Sequence, residues 1–308
     1  MKKHPLVSII TVNYKNEEDT LAFLHSLKKA EYPAIEVILV DNAADYHNAE
    51  NYKKAFPGVI YIFSSENLGF AGANNLGIER AKGKYLYFLN NDTVIEESSI
   101  LPLVQAFENN PNLGAASPRI AFHSNPSLLQ YAGMTPINFK TGRNNMIGNH
   151  EKDAPIYQIT QDVGYAHGAA MMIPTHLIEK IGLMPTDYFL YYEELDWCEK
   201  IRKQDLEIKV IGKSRVIHKA SAAVKTNSPL QTFYMTRNRL IFMHRFASKE
   251  EFRTFWMYFN WVVVPQKRLV YLLKGNKQGL AAFNQAIKAA KNHFKNQALP
   301  IEMYRTAA

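Results

Sequence analysis

Two groups of polar residues in this chain have the types and spacing to do chemistry. The first is Asn90-Asn91-Asp92-Thr93, which closes the short apolar run from Tyr85 to Leu89. A carboxylate flanked by amides at a strand's end offers the hard oxygen donors that Mg²⁺ or Mn²⁺ prefers, and leaves positions open for a diphosphate. The same residues also read as an Asx-rich turn ahead of a helix. The second group is Glu193, Glu194 and Asp196, following the aromatic run Tyr188 to Tyr192. Acidic side chains favour the first turn of a helix, and Leu195, Cys198 and Ile201 give that helix an apolar stripe. A carboxylate set against Tyr and Trp is equally how a general base is desolvated and tuned.

The elements that must position these groups follow from the apolar pattern. Tyr85 to Leu89 is too short and too aromatic for a helix and reads as a buried strand delivering Asn90, Asn91 and Asp92 at its C-terminal edge, where open α/β sheets bind ligands. Leu6 to Tyr14, Ile35 to Val40 (closed by Asp41-Asn42) and Val59 to Phe63 read as further strands, with a helix over Glu17 to Lys29. This alternation predicts an α/β fold with a mostly parallel sheet covered by helices on both faces. Glu66 to Gly77 reads as a loop feeding a helix, able to present N–H groups to an anion or simply to pack closely; it has neither the dinucleotide fingerprint nor a P-loop lysine. From Pro118 to Asp162 the pattern loosens, as in a functional or mobile loop with room for a hairpin. Gly164 to Pro174 reads as a small-residue strand, and Lys209 to Ile211 and Val216-Ile217 as strands ahead of His218, a lone histidine of the kind that is more often a structural donor than a ligand.

Composition narrows the class. A chain of 308 residues that is 47% hydrophobic can bury a large core, which excludes a disordered protein. Its one cysteine, Cys198, excludes an intramolecular disulfide and a cysteine-cluster metal site, as suits a reducing compartment. The apolar segment Leu6 to Val12 is shorter than a signal peptide's and lacks a small-residue cleavage site, so a cytoplasmic location is expected. A net charge of +8 points to an anionic partner. No aromatic-basic recognition module accompanies it, so no nucleic acid is expected. Near the C-terminus, Phe255 to Pro265 is aromatic and apolar but too short to span a bilayer, and Lys267, Arg268, Lys274 and Lys277 follow it. Residues 255–277 thus read either as a helix lying at a membrane surface or as a helix pair docked on the catalytic domain or a second subunit of a homo-oligomer.

Several ordered motifs between Val7 and about Arg239 give the chain a family likeness: Val7 to Tyr14, Val40-Asp41-Asn42, Asn67 to Asn75, Leu89 to Thr93, Phe189 to Trp197, His218-Lys219-Ala220-Ser221 and Thr236-Arg237-Asn238-Arg239. In this order they resemble the family 2 inverting glycosyltransferases of GT-A fold, and among those the bacterial rhamnosyltransferase type. The resemblance implies a Rossmann-like catalytic domain over 1–228, with a nucleotide-binding half (1–117) and an acceptor half (118–228), and a C-terminal helical appendage over 229–308. It implies that Thr11, Asn13 and Asp41 hold the nucleoside, that Asn67, Gly69, Phe70, Asn74 and Asn91 border the nucleotide and donor sugar, and that Asp92, with His218, holds Mg²⁺ or Mn²⁺. Where the wider fold often has Asp-x-Asp, this chain has Asn90-Asn91-Asp92. Inversion needs one base and no covalent intermediate. The family's acidic pair falls on Glu193-Glu194, which makes Glu194 the first candidate base, Asp196 the second and Glu193 a helper. The implied activity is transfer of a sugar from a nucleotide sugar, with dTDP-rhamnose as the candidate donor, to a glycan or lipid-linked acceptor in cell-surface polysaccharide synthesis at the inner face of the plasma membrane. An inert nucleotide-sugar-binding subunit of a membrane-associated assembly complex is the alternative.

Overall fold

The structure is a computed structural model that describes residues 4–42, 49–219 and 228–296. Ala220 and Ser221 of the histidine motif lie outside these. The chain forms two compact units that are not continuous in sequence: residues 1–135, 145–186 and 193–221 make the first, and 136–144, 187–192 and 222–308 the second.

In the first unit the order is β1 (Val7–Asn13), α1 (Glu17–Leu27), β2 (Ile35–Asp41), α2 (Ala49–Ala55), β3 (Ile60–Phe63), α3 (Gly69–Arg80), β4 (Tyr85–Leu89), β5 (Thr93–Ile95) and α4 (Ile100–Asn109). It continues through β6 (Leu113–Phe122), β7 (Leu129–Tyr131), β8 (Thr160–Asp162), β9 (Ala170–Pro174), α5 (Ile178–Ile181), α6 (Glu193–Arg202) and β10 (Glu207–His218). One sheet runs β3-β2-β1-β4-β9-β6-β10-β5, with β7 beside β6 and β8 beside β10. β1 to β4, β6 and β10 all point one way, while β9 runs against its neighbours β4 and β6. The predicted parallel order therefore holds through β4 and is then interrupted. The reason is local: no α-helix lies between β6 and β9 to carry a crossover, and antiparallel neighbours need only loops.

Strands buried on both faces need helices on both. On one side Phe23, Leu24 and Leu27 of α1 and Leu103 and Phe107 of α4 join Val7, Ile9, Val37, Tyr85 and Tyr87 in one core. On the other, Trp197 of α6 meets Phe88 edge-on at 5.4 Å. α3 lies so close to β1 that a Cβ at Gly77 would stand 2.4 Å from Ile10 Cγ2. Asn13, Asp41, Leu89 and His218 thus finish four like-directed strands at one edge of the sheet.

The second unit holds α7 (Pro229–Phe246), α8 (Lys249–Tyr258), α9 (Val264–Leu273) and α10 (Lys277–Asn296). Ala282, Ala286 and Ala289 put a small-residue face of α10 against Phe233 and Tyr234 of α7, with Phe189 in the same cluster. Ser248 and Glu251 form a capping box at the start of α8. Between α8 and α9 the chain widens into a π-type turn over Phe259–Val263. Pro265 follows, and having no N–H it cannot continue the regular ladder. Among the described residues no helix is long and apolar enough to cross a membrane.

Candidate active site

At the ends of β1 and β2 the amide of Asn13 is a hub. Its Nδ2 donates to Asp41 Oδ1 (3.1 Å) and Tyr52 Oη (3.2 Å), and its Oδ1 accepts from Asn16 N (3.1 Å), Thr20 Oγ1 (3.0 Å) and Asn91 Nδ2 (3.2 Å). Tyr61 Oη donates to Asp41 Oδ2 at 3.0 Å. Burial and the bond to Asp41 keep the Tyr61 phenol protonated, pushing its pKa well above the ordinary tyrosine range. Asn13, Asp41 and Asn91, expected as separate ligand contacts, are thus one buried network that ties β1, β2 and the β4 turn together. Thr11 is enclosed within β1, and no partner for its hydroxyl is found among the described residues.

A second knot is centred on Asn42, a member of the Val40-Asp41-Asn42 motif for which the sequence implies no role. Its Nδ2 donates to Asn67 Oδ1 and Gly69 O, both at 3.1 Å, and its Oδ1 accepts from Leu68 N at 2.8 Å. Asn67 Oδ1 also accepts from Gly69 N at 3.0 Å. Gly69 takes φ +69°, and α3 begins on it, so the expected glycine loop is already the first turn of a helix. Phe70 is half-buried on that turn, while Asn74 gives its amide to the Phe70 carbonyl of the same helix at 2.9 Å.

The strongest convergence lies at the ends of β4 and β10. His218 Nε2 is 3.0 Å from Asp92 Oδ1, and each of these side chains is 9% exposed. Lys219 N donates to the Asp92 carbonyl at 2.9 Å, and His218 Nδ1 is 2.8 Å from Gln130 Oε1. His167 completes the group, its ring centroid 6.3 Å from that of His218. Burial, and then the neighbouring His218, push its pKa down to about 3, against the pull of Asp92. Its Nδ1 accepts from Ala169 N at 3.1 Å, so the neutral ring carries its proton on Nε2. Lys219 Nζ reaches Asp19 Oδ1 on α1 at 2.5 Å. A hard carboxylate oxygen and an imidazole nitrogen fit Mg²⁺ or Mn²⁺ as a partial shell completed by water and phosphate oxygens. They do not make a closed protein cage: among the described residues no three His, Cys, Asp or Glu side chains are arranged to hold an ion.

The acidic cluster separates by environment. Glu193 and Asp196 are 1% and 0% exposed, and Asp196 Oδ1 is 3.0 Å from Lys200 Nζ. Glu194 is half-buried and lies over Gly168: a Cβ there would stand 3.4 Å from its Cδ and 3.5 Å from its Oε1. His167 adjoins Gly168 in the chain, and Asn90 N donates to Ala169 O at 3.0 Å. Asp92 and Glu194, 102 positions apart, therefore flank the same short stretch ahead of β9.

The turn ahead of this cluster belongs to the second unit. Phe189, Tyr191 and Tyr192 there have φ of +67°, +70° and +82°, conformations costly for residues with a Cβ. Asn238 Nδ2 donates to three carbonyls of that turn, Tyr188 (3.1 Å), Leu190 (2.8 Å) and Tyr191 (2.9 Å), and Arg237 reaches the Asp187 carbonyl at 2.7 Å. Arg237 and Asn238 belong to the Thr236-Arg237-Asn238-Arg239 motif, for which the sequence implies no task, and His167 and Gln130 carry no signal in the sequence beyond their residue type.

The sheet, with a carboxylate at the end of β4, has the GT-A type of fold. The sequence profile of glycosyl transferase family 2 matches residues 8–178, more than half of the chain, and the protein belongs to that family. It is 27% identical over 258 residues to the low-salt glycan biosynthesis hexosyltransferase Agl10 of Haloferax volcanii, covering 79% of this chain and 77% of that one. It is 31% identical over 119 residues to a poly-beta-1,6-N-acetyl-D-glucosamine synthase of Staphylococcus epidermidis, a match spanning 37% of this chain and 29% of the relative. Among solved structures it is similar to GalNAc-T7 with UDP, GalNAc and Mn²⁺ (TM-score 0.58, 15% identity, 85% of this chain and 57% of that one). It is also similar to residues 1–349 of S. aureus TarS (TM-score 0.57, 16% identity, 98% of this chain and 87% of that one).

Proposed function

We propose that the protein inverts an anomeric centre while moving a sugar from a nucleotide-sugar donor, with dTDP-rhamnose a candidate, to a glycan or lipid-linked acceptor in cell-surface polysaccharide synthesis. The observation that carries this reading is the Glu194 carboxyl over Gly168, next in the chain to His167, which meets the Asp92–His218 pair. The hexosyltransferase of Haloferax and the synthase of Staphylococcus that the chain resembles support glycan synthesis as its setting.

In this reading Glu194 accepts the proton of the acceptor hydroxyl as that oxygen forms its bond to the anomeric carbon. The bond to the donor's diphosphate breaks on the opposite face, and its electron pair leaves with the phosphate oxygen. A divalent cation, held by Asp92 and His218, would supply Lewis-acid stabilisation of that leaving charge. The Asn13–Asp41–Asn91 and Asn42–Asn67 networks hold the strand ends against which the nucleoside is bound, with Phe70 as an apolar wall. Catalysis belongs to the sheet-bearing unit, with those of residues 118–228 that fall in it on the acceptor side. A cytoplasmic location at the inner membrane face, with residues 255–277 on the surface, would bring it to a lipid-linked acceptor.

The test is release of nucleoside diphosphate from a panel of nucleotide sugars, comparing the wild type with Glu194→Gln. Turnover by the wild type, lost in the variant with donor affinity kept, is the expected result. Donor binding without turnover across a broad acceptor set would instead mark an inert binding subunit.

A further inference from the structure

We propose that the C-terminal helical unit docks shallowly on an anionic lipid bilayer, with an apolar stripe that runs from the π-type turn along α9 entering one leaflet and a cationic cleft beside it taking headgroup phosphates. The stripe is built by helical spacing: Trp261, Pro265, Leu269 and Leu272 follow one another at steps of three and four, with Val262 and Leu273 alongside. All six are exposed, Trp261 at 82% and Leu273 at 78%. An aromatic and several leucines left in water on one helix face form a patch of the kind that marks an interaction surface. α9 is only ten residues long, so it can lie in a membrane interface but cannot cross the bilayer.

The charge of the surroundings selects the occupant. Between Glu251 and Glu302 the sequence has no Asp or Glu, while residues 252–296 carry eight Lys and Arg. A second copy placed on this surface would bring like charges together; an anionic leaflet would not. Beside the stripe, Trp256, Arg268, Lys288, Lys291 and Lys295 line a cleft of about 530 Å³. Two of its cations are held in place: Arg268 donates to Asn284 Oδ1 from Nε (3.1 Å) and Nη2 (2.9 Å), and Lys291 Nζ stands 5.5 Å over the Trp256 ring. Arg268 belongs to α9 itself, so one helix presents both the apolar stripe and the phosphate-binding edge.

This inference deepens the proposed function by naming the surface on which the acceptor is met, but its test needs no turnover. The full chain is sedimented with vesicles of phosphatidylcholine alone or mixed with phosphatidylglycerol. Binding to the mixed vesicles should be at least about tenfold tighter and should weaken as salt is raised. Leu272→Ser with Leu273→Ser, and separately Lys288→Glu with Lys291→Glu, should each reduce it by about tenfold or more while leaving the thermal midpoint within a few degrees. Equal binding to both vesicle types, or none to either, would overturn the proposal. So would a dimer seen by light scattering that the Leu272→Ser, Leu273→Ser variant abolishes. If the wild type binds vesicles yet turns over no nucleotide sugar, the transferase reading fails and the docking surface stands.

Discussion

Glu194 and Asp196 stand two positions apart on α6 and meet different surroundings. Asp196 is fully enclosed with Lys200 against it, whereas Glu194 keeps part of its surface in water beside Gly168. Glu194→Gln should therefore lower turnover roughly 10²–10⁴-fold with an unchanged melt, while Asp196→Asn should lower stability by about 1–3 kcal/mol, measured by denaturant titration. Asp92→Asn removes the one carboxylate of the Asp92–His218 pair. Nucleotide release should fall roughly 10²–10³-fold, and the concentration of Mn²⁺ or Mg²⁺ needed for half-maximal rate should rise. Cys198 is buried, and that burial pushes its thiol up to about 12, so the folded protein should resist iodoacetamide until denaturant is added.

At the scale of elements, the consequential contact is the one Asn238 makes from α7. One amide group serves three carbonyls of a turn whose backbone contains three left-handed residues, and α6 begins immediately after it at Glu193. Asn238→Ala leaves those carbonyls without their donor and should cost about 1–3 kcal/mol by denaturant titration. Because the chain runs straight from this turn into the acidic cluster, kcat should fall more than donor affinity does. A variant that only melts earlier, with kcat intact at low temperature, would show the turn to be structural alone. α3 is a second case of an element fixed by polar side chains: its first turn is moored by Asn42, just past the end of β2, and by Asn67, on the segment leading into it.

For the whole molecule, net charge and pH act together. His244 is stacked on Phe294 at 4.5 Å, and burial, then Arg245, lowers its pKa. His293 is lowered mainly by burial, with Arg237 and Arg245 adding to the effect and Asp187, 3.7 Å away, opposing it. Both rings bind a proton less readily in the fold than in the unfolded chain, which therefore takes up protons first as pH falls through the ordinary histidine value of about 6.5. Their contribution to stability is fully present above that value and is lost below it. Melts recorded from pH 8 down to pH 5 should show the midpoint falling in the lower part of the range, and His244→Phe should flatten the decline.

Most of the framework was legible in the chain itself. The β-branched and aromatic runs at Val7–Asn13, Ile35–Asp41 and Tyr85–Leu89 specify strands because only such residues fill a sheet buried on both faces, and the polar residues that end them mark the ligand edge. Asp92, His218 and the acidic cluster stood out because carboxylates and imidazoles are conspicuous after apolar runs. What the linear order could not carry was distance. That β9 enters against β4 and brings His167 and Gly168 between Asp92 and Glu194 depends on pairing between segments some eighty residues apart. The same holds for the network that turns Asn13, Asp41 and Asn91 onto one another. Local pattern sets which face of an element is apolar; only tertiary packing decides which polar groups then share a hydrogen bond, and which one stays open to a substrate.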